Sequence, residues 1–371
     1  MRLKLFFIVL FSISLSFSSI TSNDIVLLAY GKEMNNNELI TFEIHPNATD
    51  SAIDDWLYDH YVVINKSSEI RNQIWLHFVG AGGTSVGTRE VLHTIASNGF
   101  HVIALSYPNT FNLGNCEQYF EETPDLDCYE KIRMEITNGS DLTEFANVSP
   151  ENSVYNRITK LLIYLEENYS EDADWSQYFN KNGVLRWNRI AVSGHSFGGG
   201  QAGILAKFHK VPRVVFFASP HDYCAYWNST ANWFNQPFAT PSENFYGFIH
   251  TNDYFYVYNR VPRNWNLIGM YNYGVATIDN TSYPYNNAHI LITSDERVDG
   301  HSGILQDFDD APVIYKKSWI YLSENVPILT EEEPTSRNVN TENFGLFFGI
   351  FSWIIFRKKL LRRNIDSTYS N

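Results

Sequence analysis

Between residues 24 and 325, short apolar runs alternate with stretches whose apolar positions recur at helical spacing. Residues 73–79 (Gln-Ile-Trp-Leu-His-Phe-Val) form one such run, closed by Gly80, Ala81, Gly82 and Gly83. A helix is expected over 88–97, then a β-branched and apolar strand over 101–107 that stops at Pro108. Val154, Ile158, Leu161, Leu162 and Leu165 share one face of a helix over 154–169. Downstream, 189–193 reads as a strand, 201–209 as a helix, and 213–218, 245–250 and 289–293 as further strands. Apolar strands separated by helices predict a mostly parallel sheet covered on both faces, which is an α/β fold. No repeat and no low-complexity linker interrupts 24–325, so one domain is expected there. In such sheets the functional site lies beyond the carboxyl ends of the strands.

Two insertions follow predicted strands and could roof such a site. Residues 109–150 are loop-rich and acidic and carry Cys116 and Cys128. Residues 223–243 hold Tyr226, Trp227, Trp233, Phe234 and Phe238. Aromatics of that size need something to bury against: a pocket rim, or the domain's own surface.

Composition narrows the class. The 371 residues are 44% hydrophobic and 18% charged, enough apolar material for a full core. Lys and Arg number 27 against 41 Asp and Glu, so 27 − 41 leaves a formal charge of −14. A nucleic-acid partner is argued against, because phosphate binding needs a basic footprint. Three cysteines are too few for a disulfide scaffold and lack zinc-type spacing.

The two ends read differently from the middle. Met1, Arg2, Leu3 and Lys4 precede an apolar run over 5–17 and then Ser18, Ser19, Ile20, Thr21 and Ser22. That is a signal-peptide pattern over 1–22, with a buried N-terminal strand as its rival. Sequons at Asn47, Asn65, Asn138, Asn147, Asn168, Asn228 and Asn280 permit glycosylation in a secretory pathway without showing it. A polar linker over 326–343 leads to 13 residues at 344–356, mostly apolar, and then to a basic tail, 357–371. An apolar block followed by basic residues resembles a stop-transfer segment with its basic side cytoplasmic. The block is short against the roughly 20 residues of a full span, so it must use a thin bilayer and snorkelling flanks. An amphipathic surface helix and a docked C-terminal helix are the rivals.

Gly194-His195-Ser196-Phe197-Gly198 fits G-x-S-x-G between a predicted strand and helix. That setting forces a serine into a strained turn with its hydroxyl exposed, and the glycines let helix and strand pass closely. A serine nucleophile needs a base and an orienting acid, in the chain order Ser, Asp or Glu, His. Asp253 follows the strand at 245–250, and His301 follows the strand at 289–293, so both sit at the same sheet end. Asp222, after the strand at 213–218, is the competing acid; His250 and His289 are weaker bases, being in or beside strands. The tetrahedral intermediate needs two N–H donors, expected from Phe197 and from the loop of Gly80, Ala81 and Gly82.

These residues resemble the α/β-hydrolase superfamily over most of 60–325. Within it the chain is similar to a sparsely characterised group of exported, mainly bacterial hydrolases. The shared run takes in Trp187, Arg189, Gly194 to Ser196, Gly198 to Gly200, Ala206, Lys207, Val211 and Arg213 to Val215. It continues through Pro220, Asp222, Thr240, Pro241, Tyr246 to Phe248, His250 and Asp253. Gly-His-Ser-Phe-Gly-Gly is also similar to platelet-activating-factor acetylhydrolases, although the downstream sequence does not follow them. The resemblance implies an α/β-hydrolase fold with cap insertions but brings no firm substrate; the serine mechanism requires no cofactor or metal, and a small-molecule or lipid-like ester is the expected substrate.

Cys116 and Cys128 enclose eleven residues, and an exported setting favours a disulfide between them, leaving Cys224 buried and unpaired. Arg133 and Glu135 are candidates for an ion pair bracing the insertion. Two readings of different class remain: a serine hydrolase cleaving an ester, with an amide as the less favoured bond, and a cell-surface binding or adhesion protein that keeps the fold without catalysis. Triad residue types in the right order favour the enzyme.

Overall fold

The computed structural model describes residues 39–119, 125, 127–305 and 313–330. The expected signal peptide, the segment at 344–356 and the basic tail lie outside the described residues. Among the described residues no helix is long and apolar enough to cross a membrane.

Nine strands among the described residues build one sheet. They are β1 (Leu39–Ile44), β2 (His60–Asn65), β3 (Ile74–Phe78), β4 (His101–Ala104), β5 (Ile190–His195), β6 (Val214–Phe217), β7 (Phe245–His250), β8 (Val275–Thr277) and β9 (Ile290–Thr293). Their order across the sheet is β1-β2-β4-β3-β5-β6-β7-β9-β8. β2 runs antiparallel to β1 and to β4, and every other neighbouring pair is parallel. β3, β4 and β6 are buried along their whole length, which requires cover on both faces.

The helices supply that cover. They are α1 (Arg89–Ser97), α2 (Gly114–Tyr119), α3 (Cys128–Asn138), α4 (Val154–Tyr169), α5 (Phe197–Phe208), α6 (Arg260–Ile268) and α7 (Val313–Ser323). α1 packs on α7, while α5 lies on β3, β5 and β6 and meets α3, which in turn meets α4. The five apolar positions that predict α4 are all buried, and Ser153 caps it by accepting from the Asn156 N–H at 3.3 Å.

Several elements differ from expectation. The insertion at 109–150 holds two helices, α2 and α3, joined by a Cys116–Cys128 disulfide with the Cα atoms 5.7 Å apart. Its α3 buries Arg133 and Glu135 among apolar neighbours, so charges stand where a core face would read apolar. The two do not pair with each other. Glu135 accepts the N–H groups of Leu142, Thr143 and Val148 at 3.0, 3.1 and 3.3 Å, and Arg133 turns to Asp222. α5 begins at Phe197 rather than 201, because the glycines at its start are demanded by packing. Pro327 and Leu329 stay tied to the fold: Gln73 Nε2 donates to the Pro327 carbonyl (2.8 Å) and Asn188 Nδ2 to that of Leu329 (3.0 Å).

Candidate active site

β5 runs straight into α5, and Ser196 stands at the corner with φ 52° and ψ −121°. A side chain rarely sits at that φ, so the turn holds the serine in strain. The two flanking glycines are explained by contact. A Cβ on Gly194 would lie 2.2 Å from the Gly198 carbonyl oxygen, and one on Gly198 would lie 2.1 Å from that of Phe78. Helix and strand therefore cross backbone on backbone, leaving the hydroxyl at the carboxyl edge of the sheet.

Asp253 and His301 reach the same edge. The residues after β7 fold into a short helical turn, Tyr254–Val257, and Asp253 Oδ1 caps it by accepting from Phe255 N (2.7 Å) and Tyr256 N (3.1 Å). Oδ2 is left for His301 Nδ1, at 2.5 Å. His301 Nε2 lies 2.8 Å from Ser196 Oγ. Asp253 is fully buried, while the His301 side chain keeps 30% of its surface open. Gly300 allows the two loops to touch, since a Cβ there would meet the Asn252 backbone at 2.8 Å. A serine elbow after the fifth strand of a mixed sheet, with Asp and His following in that order, decides the architecture. The fold is an α/β-hydrolase fold.

In α/β-hydrolase folds the loop after β3 faces the nucleophile. Here a Cβ on Gly80 would stand 3.1 Å from His195 Nδ1 and 3.3 Å from the Ser196 Cβ, so the loop and the serine turn pass in close contact. Asn109, fully buried, clamps this loop: its Oδ1 accepts the Gly82 N–H at 3.0 Å and its Nδ2 donates to the Gly83 carbonyl at 3.2 Å. The N–H of Gly82 is thereby committed to a side chain, which removes it from the candidate oxyanion donors. Tyr107 fixes the approach to the loop by donating its hydroxyl to the Val79 carbonyl at 2.8 Å.

Asp222 does not compete for His301. Its carboxylate is fully buried and taken up by Arg133, whose Nη2 and Nε donate to Oδ1 at 2.6 Å and Oδ2 at 3.0 Å. Trp233 Nε1 adds a third bond to Oδ2 at 3.1 Å. Arg133 Nη1 also donates to the Phe197 carbonyl at 2.7 Å, directly after Ser196. No sequence signal marks this pair, because its members are 89 positions apart.

Of the five aromatics in the second insertion, Trp233 and Phe234 are buried and stacked at 3.7 Å, and Phe238 packs edge-on against Phe245. Only Tyr226 and Trp227 remain exposed. His250 Nδ1 accepts the Asn252 N–H at 2.9 Å and its Nε2 donates to the Asp295 carbonyl, beyond β9, at 3.0 Å, while His289 Nδ1 donates to the Phe245 carbonyl at 3.1 Å. Neither is hydrogen-bonded to Ser196. Cys224 is buried and free. Among the described residues no group of His, Cys, Asp and Glu is arranged to hold a metal ion.

No family model matches the chain, and no curated protein does. Similar solved structures include a bacterial heroin esterase, 13% identical at a TM-score of 0.39, with 82% of this chain and 90% of that one covered. Another is a thermostable esterase from Pseudomonas putida, 13% identical at a TM-score of 0.35, with 79% and 84% covered.

Proposed function

We propose that the chain is an exported serine hydrolase that cleaves an ester bond of a small-molecule or lipid-like substrate. Ser196 is the nucleophile, His301 the general base and Asp253 the carboxylate that orients it. One observation carries the reading: His301 spans Ser196 Oγ at 2.8 Å and Asp253 Oδ2 at 2.5 Å through its two ring nitrogens.

The chemistry follows from those contacts. Nδ1–H must donate to the carboxylate, so Nε2 carries the lone pair that takes the Ser196 proton as Oγ attacks the ester carbon. Asp253 then faces an imidazolium and stabilises it. The oxyanion forms beside the N–H group of Phe197 and that of Gly80 or Ala81, the donors of the β3 loop left after Gly82 is committed to Asn109. Collapse expels the alkoxide, which takes the proton from His301 Nε2 and leaves an acyl-Ser196 ester. Water, deprotonated by His301, attacks that ester, releases the acid and restores Ser196. Export rests on residues 1–22, and membrane attachment on residues 344–356 with the basic tail behind them. A disulfide in the first insertion agrees with an oxidising compartment.

The test is a fluorophosphonate probe on the full-length protein, with the adduct located by mass spectrometry. Labelling at Ser196 that is lost in His301→Ala is expected, as is loss of ester turnover in Ser196→Ala. A folded protein that takes no label would favour the non-catalytic binding protein instead.

A further inference from the structure

The residue before the nucleophile is free to be almost anything in G-x-S-x-G, yet here it is a histidine aimed at the base. His195 Nε2 lies 3.0 Å from the backbone carbonyl oxygen of His301. A carbonyl only accepts, so Nε2 carries the hydrogen and donates. The two imidazole rings stand 4.8 Å apart, tilted by 45°.

His301 is thus held at four points. Its N–H donates to Asp299 Oδ2 at 3.2 Å, an oxygen that also takes the Ser302 N–H at 2.7 Å. Its carbonyl takes the His195 hydrogen, and its ring nitrogens meet Asp253 and Ser196. Asp253 and Asp299 both belong to the side of the site formed after β7 and β9. His195 is the contact that ties the His301 backbone to the nucleophile's own strand, because it is the last residue of β5. We propose that His195 is a positioning residue: its Nε2–H fixes the His301 backbone relative to Ser196, and so sets the distance over which the Ser196 proton moves.

This inference rests on the serine-hydrolase reading above. The groups around His195 leave the contact intact through the working range of pH. Burial comes first, the neighbouring His301 charge second, and together they outweigh the bond to the His301 carbonyl and the charges of Asp253 and Asp299, lowering the His195 pKa to about 4. His195 is therefore neutral near pH 7. The room on its far side is limited, since Nδ1 lies 3.1 Å from where a Gly80 Cβ would stand. A replacement must keep both the size and the donor.

The amide nitrogen of a glutamine occupies nearly the place of a histidine Nε2, whereas that of an asparagine occupies the place of Nδ1 and falls short of the His301 carbonyl. The experiment compares His195→Gln, His195→Asn and His195→Leu in the full-length protein, with p-nitrophenyl acetate turnover and the fluorophosphonate labelling rate as readouts. Misplacing a catalytic group by about 1 Å lowers a rate by as much as roughly 100-fold. His195→Asn and His195→Leu should therefore lose about 10- to 100-fold in kcat and in labelling rate, with KM within about 2-fold. His195→Gln should stay within about 3-fold of the parent. Equal activity in folded His195→Asn and His195→Gln would overturn the proposal, as would unchanged kcat in His195→Leu. If His195→Leu does not fold, the Gln and Asn pair decides alone. Failure of the parent protein itself to label at Ser196 would instead sink the hydrolase reading.

Discussion

Asp222→Asn is the sharpest test of how the site is braced. The substitution keeps the side-chain shape and removes the charge that faces Arg133, both groups being fully buried. Breaking a buried pair on one side leaves the other charge uncompensated, which destabilises by about 3–5 kcal/mol. For a large domain each kcal/mol moves Tm by roughly 2 °C, so a fall of about 6–10 °C is expected in thermal unfolding followed by circular dichroism. Arg133→Met combined with Asp222→Leu removes both charges and should recover much of that loss, since an apolar replacement of a whole pair is often neutral. Labelling of Ser196 should nonetheless fall in the double variant, because it loses the Arg133 Nη1 bond to the Phe197 carbonyl at 2.7 Å beside Ser196. A Tm within about 2 °C of the parent in Asp222→Asn would refute the bracing argument. Full labelling in the double variant would refute the link from Arg133 to the elbow.

Three further outcomes are expected. Gly198→Ala would push a methyl to 2.1 Å from the Phe78 carbonyl, so soluble yield or Tm should collapse, and a parent-like melt would show that the crossing can open. Opening the Cys116–Cys128 link, by Cys116→Ser with Cys128→Ser, should cost about 3 kcal/mol from the loop it closes, read as a lowered Tm that reductant does not lower further. The folded pKa is depressed to about 3 for His60 and His77 and to about 4 for His101 and His195, chiefly by burial, against 6.5 as the ordinary value. Their contribution is complete above pH 6.5 and is lost as pH falls towards 4, at about 1.4 kcal/mol per pH unit for each. Tm measured from pH 7 to 4.5 should therefore drop steeply, and a flat profile would contradict the burial of neutral rings.

The parts of this molecule legible in the sequence are those with a local signature. β7 is read at its observed bounds because a six-residue apolar run is followed by a turn, and α4 because five apolar residues recur on one face. Ser196, Asp253 and His301 meet within hydrogen-bond distance because a short motif and a chain order both have geometric meaning. β8, three residues long, and β1, with only one residue buried, carry no such signature. α3 was hidden by its buried Arg133 and Glu135, whose partners lie in other segments. The commitment of the Gly82 N–H to Asn109 is equally non-local, at 27 positions. Pairings across such separations leave no periodicity to read.

The opening of α5, Phe-Gly-Gly-Gly, has a consequence for when the proposed nucleophile exists at all. Each glycine in a helix is less favourable than alanine by about 0.8–1 kcal/mol, so three in succession leave this segment little helical tendency of its own. Its shape is borrowed from the strands it lies on, as helical stability in proteins mostly comes from packing. A nascent or partly unfolded chain consequently carries Ser196 as an ordinary, inert hydroxyl. Only molecules with a finished sheet present it in the strained corner beside His301, so a label on Ser196 counts native copies in a crude extract as faithfully as in a purified sample.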